Sequence, residues 1–173
     1  NSENRSTEPI FRAPHQHTHT HTATILQNAF DEPHQHQLAF AVILLDLDHF
    51  NSVNKEHGRP VGDKLLHAVA TLLLDSTRTC DIVCRNGDDE FAILLPETIP
   101  EQARFLASRI CVGTKALRLG HRGDAIQITS TLGVAGVTGG EDAREQTAQD
   151  LFDQAKAGLK RGQQAGRNQV GDS

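Results

Sequence analysis

Eight consecutive apolar residues, Leu38-Ala39-Phe40-Ala41-Val42-Ile43-Leu44-Leu45, run directly into Asp46-Leu47-Asp48. The run is too short to cross a bilayer and never alternates with polar residues, so it reads as a strand buried on both faces. Such a strand belongs inside a sheet, with other elements packed above and below it. The carboxylates at its end then stand where the chain leaves the core.

Other segments supply the cover. Leu65, Leu66, Val69, Leu72 and Leu73 recur at helical spacing and predict a core-facing helix over about residues 62–77. Strand-like runs at 81–85 and 90–95 flank Asn86-Gly87-Asp88-Asp89, which is turn chemistry, and predict a β-hairpin. Pro100 suits the first turn of a second helix, with Ala103, Leu106, Ala107 and Ile110 along one side. A strand over 126–137, a helix over 147–164 and a short strand at Gln169-Val170 complete the order, Gly166-Arg167-Asn168 ending the last helix. The sequence β-α-β-β-α-β, then α-β, predicts an α+β fold: a mixed central sheet of βαββαβ type with helices on its faces.

At 173 residues and 37% hydrophobic content, the chain suffices for one domain with its own core. Residues 1–37 show little apolar periodicity and carry six of the ten histidines, so the domain is placed at 38–173 behind a flexible His-rich leader or linker. His15, His17, His19 and His21 alternate, and His34 and His36 repeat the spacing, which in an extended segment aligns imidazoles for metal capture. A net charge of -5 argues against long nucleic acid but leaves room for a small anionic ligand held locally. Trp and Tyr are absent, so any base stacking must come from Phe, His or Arg. Cys80, Cys84 and Cys111 form no CxxC pair and read as reduced core residues. With neither an 18-residue apolar run nor a secretory signal, a soluble cytoplasmic chain without a membrane segment is expected.

Asp46-Leu47-Asp48-His49-Phe50, then Asn54, Gly62-Asp63 and Arg85-Asn86-Gly87-Asp88-Asp89-Glu90-Phe91, in this order and spacing, resemble the GGDEF domain of diguanylate cyclases, a bacterial signalling family. The likeness covers about residues 38–170, and it implies a nucleotidyl-cyclase-like fold with a role in cyclic di-GMP signalling. In such enzymes two subunits each hold GTP, and the ribose 3′-hydroxyl of one displaces pyrophosphate from the α-phosphate of the other, twice. Carried over by position, Asp46, the carbonyl of Leu47 and Asp89 would ligate magnesium, a hard cation that prefers oxygen donors. Asp89 and Glu90 would be the catalytic carboxylates. Backbone amides near His49 and Phe50 would receive phosphate, Asn54 and Asp63 would hydrogen-bond guanine, and Arg167 would reach the phosphates. Taken singly, Asp46 and Asp48 mark a strand's exit to solvent and Asp63 a helix cap; jointly, they favour a site.

The resemblance extends to a second site. Arg78-Thr79-Cys80-Asp81 matches the family's RxxD product-inhibition motif, five residues ahead of the signature, and Arg109 matches a further arginine of that site. An arginine fork bonds the O6 and N7 of guanine and stacks on its face, whereas the plainer reading of Arg78 and Asp81 is a surface ion pair. A homodimer, mediated by ligand or required for cyclase chemistry, is the implied assembly.

Departures from the family pattern fall on triphosphate recognition. Asp88 replaces the second glycine of the signature. A like charge about 4 Å from a phosphate costs about 4 kcal/mol at an effective dielectric near 20, before magnesium and screening reduce it. Asn51 and Gln163 replace lysines that contact phosphate, Lys156 stands where the family carries aspartate, and the usual DxLTGLxNR run is missing from residues 1–37. Asp88 as an extra metal ligand, with Lys156 or Lys160 swung toward phosphate, would be the compensation. The expected function is a degenerate GGDEF domain that binds cyclic di-GMP at Arg78, Asp81 and Arg109 with weak or absent cyclase activity. The alternative is an active cyclase converting two GTP to cyclic di-GMP under RxxD feedback.

Overall fold

The computed structural model, which describes residues 19–36 and 38–171, puts the apolar run in β1 (Phe40–Leu47), the middle strand of a five-stranded sheet. On one side β1 pairs antiparallel with β3 (Glu90–Pro96), which pairs antiparallel with β2 (Ile82–Arg85). On the other it pairs antiparallel with β6 (Ser130–Val137), beside which β7 (Val170–Gly171) lies parallel. The sheet is mixed, as the element order implies, and residues 40–45 are wholly buried.

Side chains of β1 alternate between two cores. Ala41, Ile43, Leu45 and Leu47 meet α2 (Phe50–His57), α3 (Arg59–Ser76) and α4 (Pro100–Ala116). Phe40, Val42 and Leu44 meet α1 (His19–Gln35), α5 (Glu141–Glu145) and α6 (Ala148–Gln164) on the opposite face. α6 starts as a capping box in which Thr147 and Asp150 satisfy each other's backbone N–H.

Several boundaries differ from the sequence reading. α3 starts at Arg59 rather than near residue 62, with Pro60 in its first turn and Gly58 as its cap, so Asp63 lies inside the helix and caps nothing. α2 has no sequence signature, because Phe50 is its one buried residue. The strand expected over 126–137 is split: β6 begins at Ser130, and β4 (Leu119–His121) with β5 (Asp124–Ile126) forms a separate hairpin.

The leader is corrected most. Residues 1–18 and 37 lie outside the described residues, and with them His15 and His17. From His19 on the chain is a helix rather than the extended segment that alternating histidines require. Thr22, Leu26 and Phe30, four apart on α1, are buried. The Phe30 ring meets Phe40 edge-on at 5.3 Å and lies 4.8 Å from the His34 ring. Polar residues around this stripe kept its period hidden. No described helix is long and apolar enough to cross a membrane.

Phe30→Ala is expected to cost about 3–5 kcal/mol, the usual loss for emptying a packed aromatic site. Urea denaturation reads it; an unchanged midpoint would mean that α1 lies outside the cooperative core.

Candidate functional site

Asp46 stands half-buried at the end of β1, in register with Glu90 on β3 and Thr131 on β6. The neighbouring Leu47 N–H donates to the carbonyl of Asp89 at 3.0 Å, which ties the tip of the β2–β3 hairpin to the strand's exit. Burial, then the charges of Asp89, Glu90 and Asp48, push the Asp46 carboxyl up to about 7, against the pull of Arg167. Burial raises Asp89 as well, with Asp88 adding to the rise. Asp46, Leu47, Asp89, Glu90 and Arg167 are thus gathered at one end of the sheet. Among the described residues no three His, Cys, Asp or Glu side chains are arranged to share a cation.

Arg167 is held there by a residue the sequence reading left without a role. Asp48 is only 4% exposed, and it accepts hydrogen bonds from Thr129 Oγ1 at 2.7 Å, Thr131 Oγ1 at 2.7 Å and the Asn168 N–H at 3.0 Å. Its own N–H donates to the Thr129 carbonyl at 2.9 Å. Arg167 and Asn168 both take positive φ, 65° and 50°, so the loop after α6 turns back onto this carboxylate. Those partners are more than 80 residues away, so no local pattern announces them.

Past Asp48 the chain turns sharply. His49, exposed at φ 58°, precedes α2 and offers no side-chain cap, so the helix begins with uncapped amides beside the carboxylate cluster. Helix starts of this kind receive anions. Phe50 is buried under α3. Asn54 faces Gly62 so closely that a Cβ there would collide with Asn54 Oδ1, and that oxygen is buried without a hydrogen-bond partner. Asp63, the next residue, is exposed.

The hairpin tip is braced from within. Arg85 donates through Nε to the Gly87 carbonyl at 2.8 Å and through Nη2 to the Asp88 carbonyl. Asn86 donates its backbone N–H to the Glu90 carbonyl at 2.8 Å and its side-chain N–H to Glu90 Oε1 at 3.0 Å. Neither Gly87 nor Asp88 has positive φ, so this turn does not demand glycine at 88. The objection to Asp88 reduces to its charge, carried on an exposed side chain. Asn51, Lys156 and Lys160 are exposed and Gln163 is half-buried.

A second cluster lies past the end of α3. The Asp81 carboxylate, 1% exposed, accepts the Arg78 backbone N–H at 2.7 Å and lies 3.5 Å from Arg78 Nε. Arg78 Nη2 donates to the buried Thr98 hydroxyl, which in turn donates to the Pro96 carbonyl at 3.0 Å. Arg109 is exposed on α4 and shares no hydrogen bond or ion pair with either. Of the cysteines, Cys84 and Cys111 are buried as expected; Cys80, inside the Arg78–Asp81 turn, is exposed instead.

Comparison with known proteins agrees with this architecture. Residues 17–169 match the family described as diguanylate cyclase, GGDEF domain, and the chain belongs to it. Diguanylate cyclase DgcP of Pseudomonas aeruginosa is 32% identical over 127 residues, 73% of this chain and 18% of DgcP. Response regulator PleD of Caulobacter vibrioides is 30% identical over 132 residues, 75% of this chain and 28% of PleD. The chain therefore spans less than a third of either relative. The GGDEF domain of DgcB from Caulobacter crescentus, crystallised with cyclic di-GMP, superposes with a TM-score of 0.82 at 21% identity, covering 99% of this chain and 97% of that one. The active GGEEF domain of a Vibrio cholerae diguanylate cyclase gives 0.77 at 23%, covering 86% and 91%. The structural likeness establishes the nucleotidyl-cyclase-like fold.

The crowded Asp46 has a measurable signature. Its carboxyl lies above the ordinary 3.8, so the folded chain keeps a proton that the unfolded chain releases, and stability falls as pH rises from about 4 to about 7. Asp46→Asn is expected to raise the melting temperature at about pH 8 and to lose that advantage near pH 4. Scanning calorimetry across this range reads the difference; equal melting at pH 8 would contradict the crowding.

Proposed function

We propose that this domain is a cyclic di-GMP receptor that binds the dinucleotide at Arg78 and Asp81, with Arg109, and has weak or absent cyclase activity. The observation that carries the reading is the preformed Arg78. Its guanidinium is fixed by Asp81 and Thr98, yet the side chain stays 58% exposed. An arginine fork held in place loses little freedom on binding, and its geometry suits the O6 and N7 of guanine. Arg109 adds a second cation for a ligand that carries two phosphates.

The signature site supports nucleotide binding more than turnover. Asn54 Oδ1, buried and unpartnered, suits a guanine N–H donor, and Asp63 follows on the adjoining helix. Asp46, Asp89 and the Leu47 carbonyl are an all-oxygen set fit for magnesium, and a cation would relieve the crowding that raises the Asp46 carboxyl. Magnesium bound there supplies neutralising charge for the triphosphate and for an activated ribose hydroxyl. The uncapped start of α2 and Arg167 would receive phosphate oxygens, with Glu90 bracing the turn. Against catalysis stand Asp88, which adds charge beside Asp89, and the absence of a cation at positions 51 and 163.

A second reading, an active diguanylate cyclase working as a homodimer on two GTP, is favoured by the orphaned Asn54 oxygen and the convergence of Asp46 with Asp89. Calorimetric titration with cyclic di-GMP, then GTP and magnesium with chromatography of the products, separates the two. For the receptor, binding without turnover is expected, and Arg78→Ala should weaken binding by about a hundredfold or more. Parent-like affinity in that variant would overturn the assignment. Asp88→Gly is expected to raise GTP affinity or turnover at least tenfold, and no change would remove the charge argument.

A further inference from the structure

Phe105, on α4, is 68% exposed and is the one exposed phenylalanine among the described residues. The buried face of α4 is complete without it, being made by Ala103, Ala107, Ile110, Cys111 and Thr114. Its location is informative. Leu72 of α3 packs at Gly113 toward the far end of α4, while Arg78, just past α3, grips Thr98 just ahead of α4. Phe105 and Arg109 both lie on α4 between these two anchor points. They are one turn apart on the solvent side, with Phe105 about 6 Å nearer along the axis to the end where Arg78 is held.

We propose that Phe105 is a guanine-stacking residue of the Arg78, Asp81 and Arg109 site, an inference that rests on the receptor reading above. The arginine forks take the O6 and N7 edge of a guanine, and Phe105 covers the π face of the same base. The division of labour follows from chemistry: every base has a π face, so stacking supplies affinity, whereas the arginine edge contacts select guanine. With no Trp or Tyr in the chain and the other described phenylalanines buried or half-buried, Phe105 is the exposed phenylalanine available to do this.

The test is calorimetric titration of the whole chain with cyclic di-GMP, comparing the parent with Phe105→Ala, Phe105→Trp and Arg78→Ala. Loss of a base-aromatic stack predicts about five- to a hundredfold weaker binding for Phe105→Ala, at unchanged melting temperature because the side chain is exposed. Phe105→Trp should retain affinity and, as the sole tryptophan of the chain, show an emission change that saturates with the ligand. If Phe105→Ala binds within twofold of the parent while Arg78→Ala does not bind, the stacking role is overturned and the receptor reading stands. If the parent itself does not bind, both fall. A Phe105→Ala variant that loses self-association but keeps its affinity would overturn the proposal and assign Phe105, with the exposed Val112, to a protein contact.

Discussion

The Asp48 carboxylate joins three parts of the chain that are otherwise far apart: the exit of β1, the start of β6 and the loop leading to β7. A buried carboxylate is tolerated only when its oxygens are bonded, and here two threonine hydroxyls and a backbone N–H do that. Because the Asn168 N–H is one of those donors, and the Arg167 N–H bonds back to the Gly162 carbonyl at 3.0 Å, Arg167 is delivered to the carboxylate cluster in a positive-φ conformation. The arrangement around Asp46 leans on this clamp, which helps to position the cation that partly offsets the crowding.

The two faces of β1 serve different ends. The face toward α2, α3 and α4 carries the start of α2, the Asn54 and Gly62 contact, Arg78 past the end of α3, and Phe105 and Arg109 on α4, while Asp46 and Arg167 stand at the sheet end. The other face is closed by α6 and α1. Its tightness is visible at Gly133 of β6, where a Cβ would run into the backbone of α6 at Ala155 and Leu159. A rigid platform behind β1 and β3 holds the hairpin tip and the strand exit at fixed separation, which a charged site needs.

Charge is distributed unevenly between the two candidate sites. At the sheet end, Asp46, Asp88, Asp89 and Glu90 outnumber Arg85 and Arg167, and Arg85 already serves two carbonyls of the turn. The site without a cation is over-supplied with carboxylates, and burial raises the cost at Asp46 and Asp89. At the α3 exit, by contrast, Asp81 is consumed in holding Arg78, and Arg109 stands exposed on α4, although Asp75, Glu97 and Glu101 also lie close in sequence to Arg78 or Thr98. Under the proposed receptor reading, an anionic dinucleotide would be drawn to the arginines of the second site, and a nucleotide at the first would need a divalent cation.

Much of this was legible in the sequence. The run from Leu38 to Leu45 specified a central strand, because a short apolar stretch ending in carboxylates has few other uses, and the leucine period of α3 and the Asn86-Gly87 turn specified its neighbours. The spaced motifs around Asp46, Asn54, Asp63 and Asp89 identified the family. Tertiary structure alone decided the rest. α1 is a weakly patterned helix that owes its place to contact with Phe40, α2 has one buried residue, and Asp48 has partners more than 80 residues away. Whether position 88 needs a glycine was likewise a matter of backbone angle, which the turn sets and composition does not reveal. Local periodicity records which face of an element is buried; it cannot record which distant groups a buried polar atom will find, since that depends on how the sheet and its loops close around it.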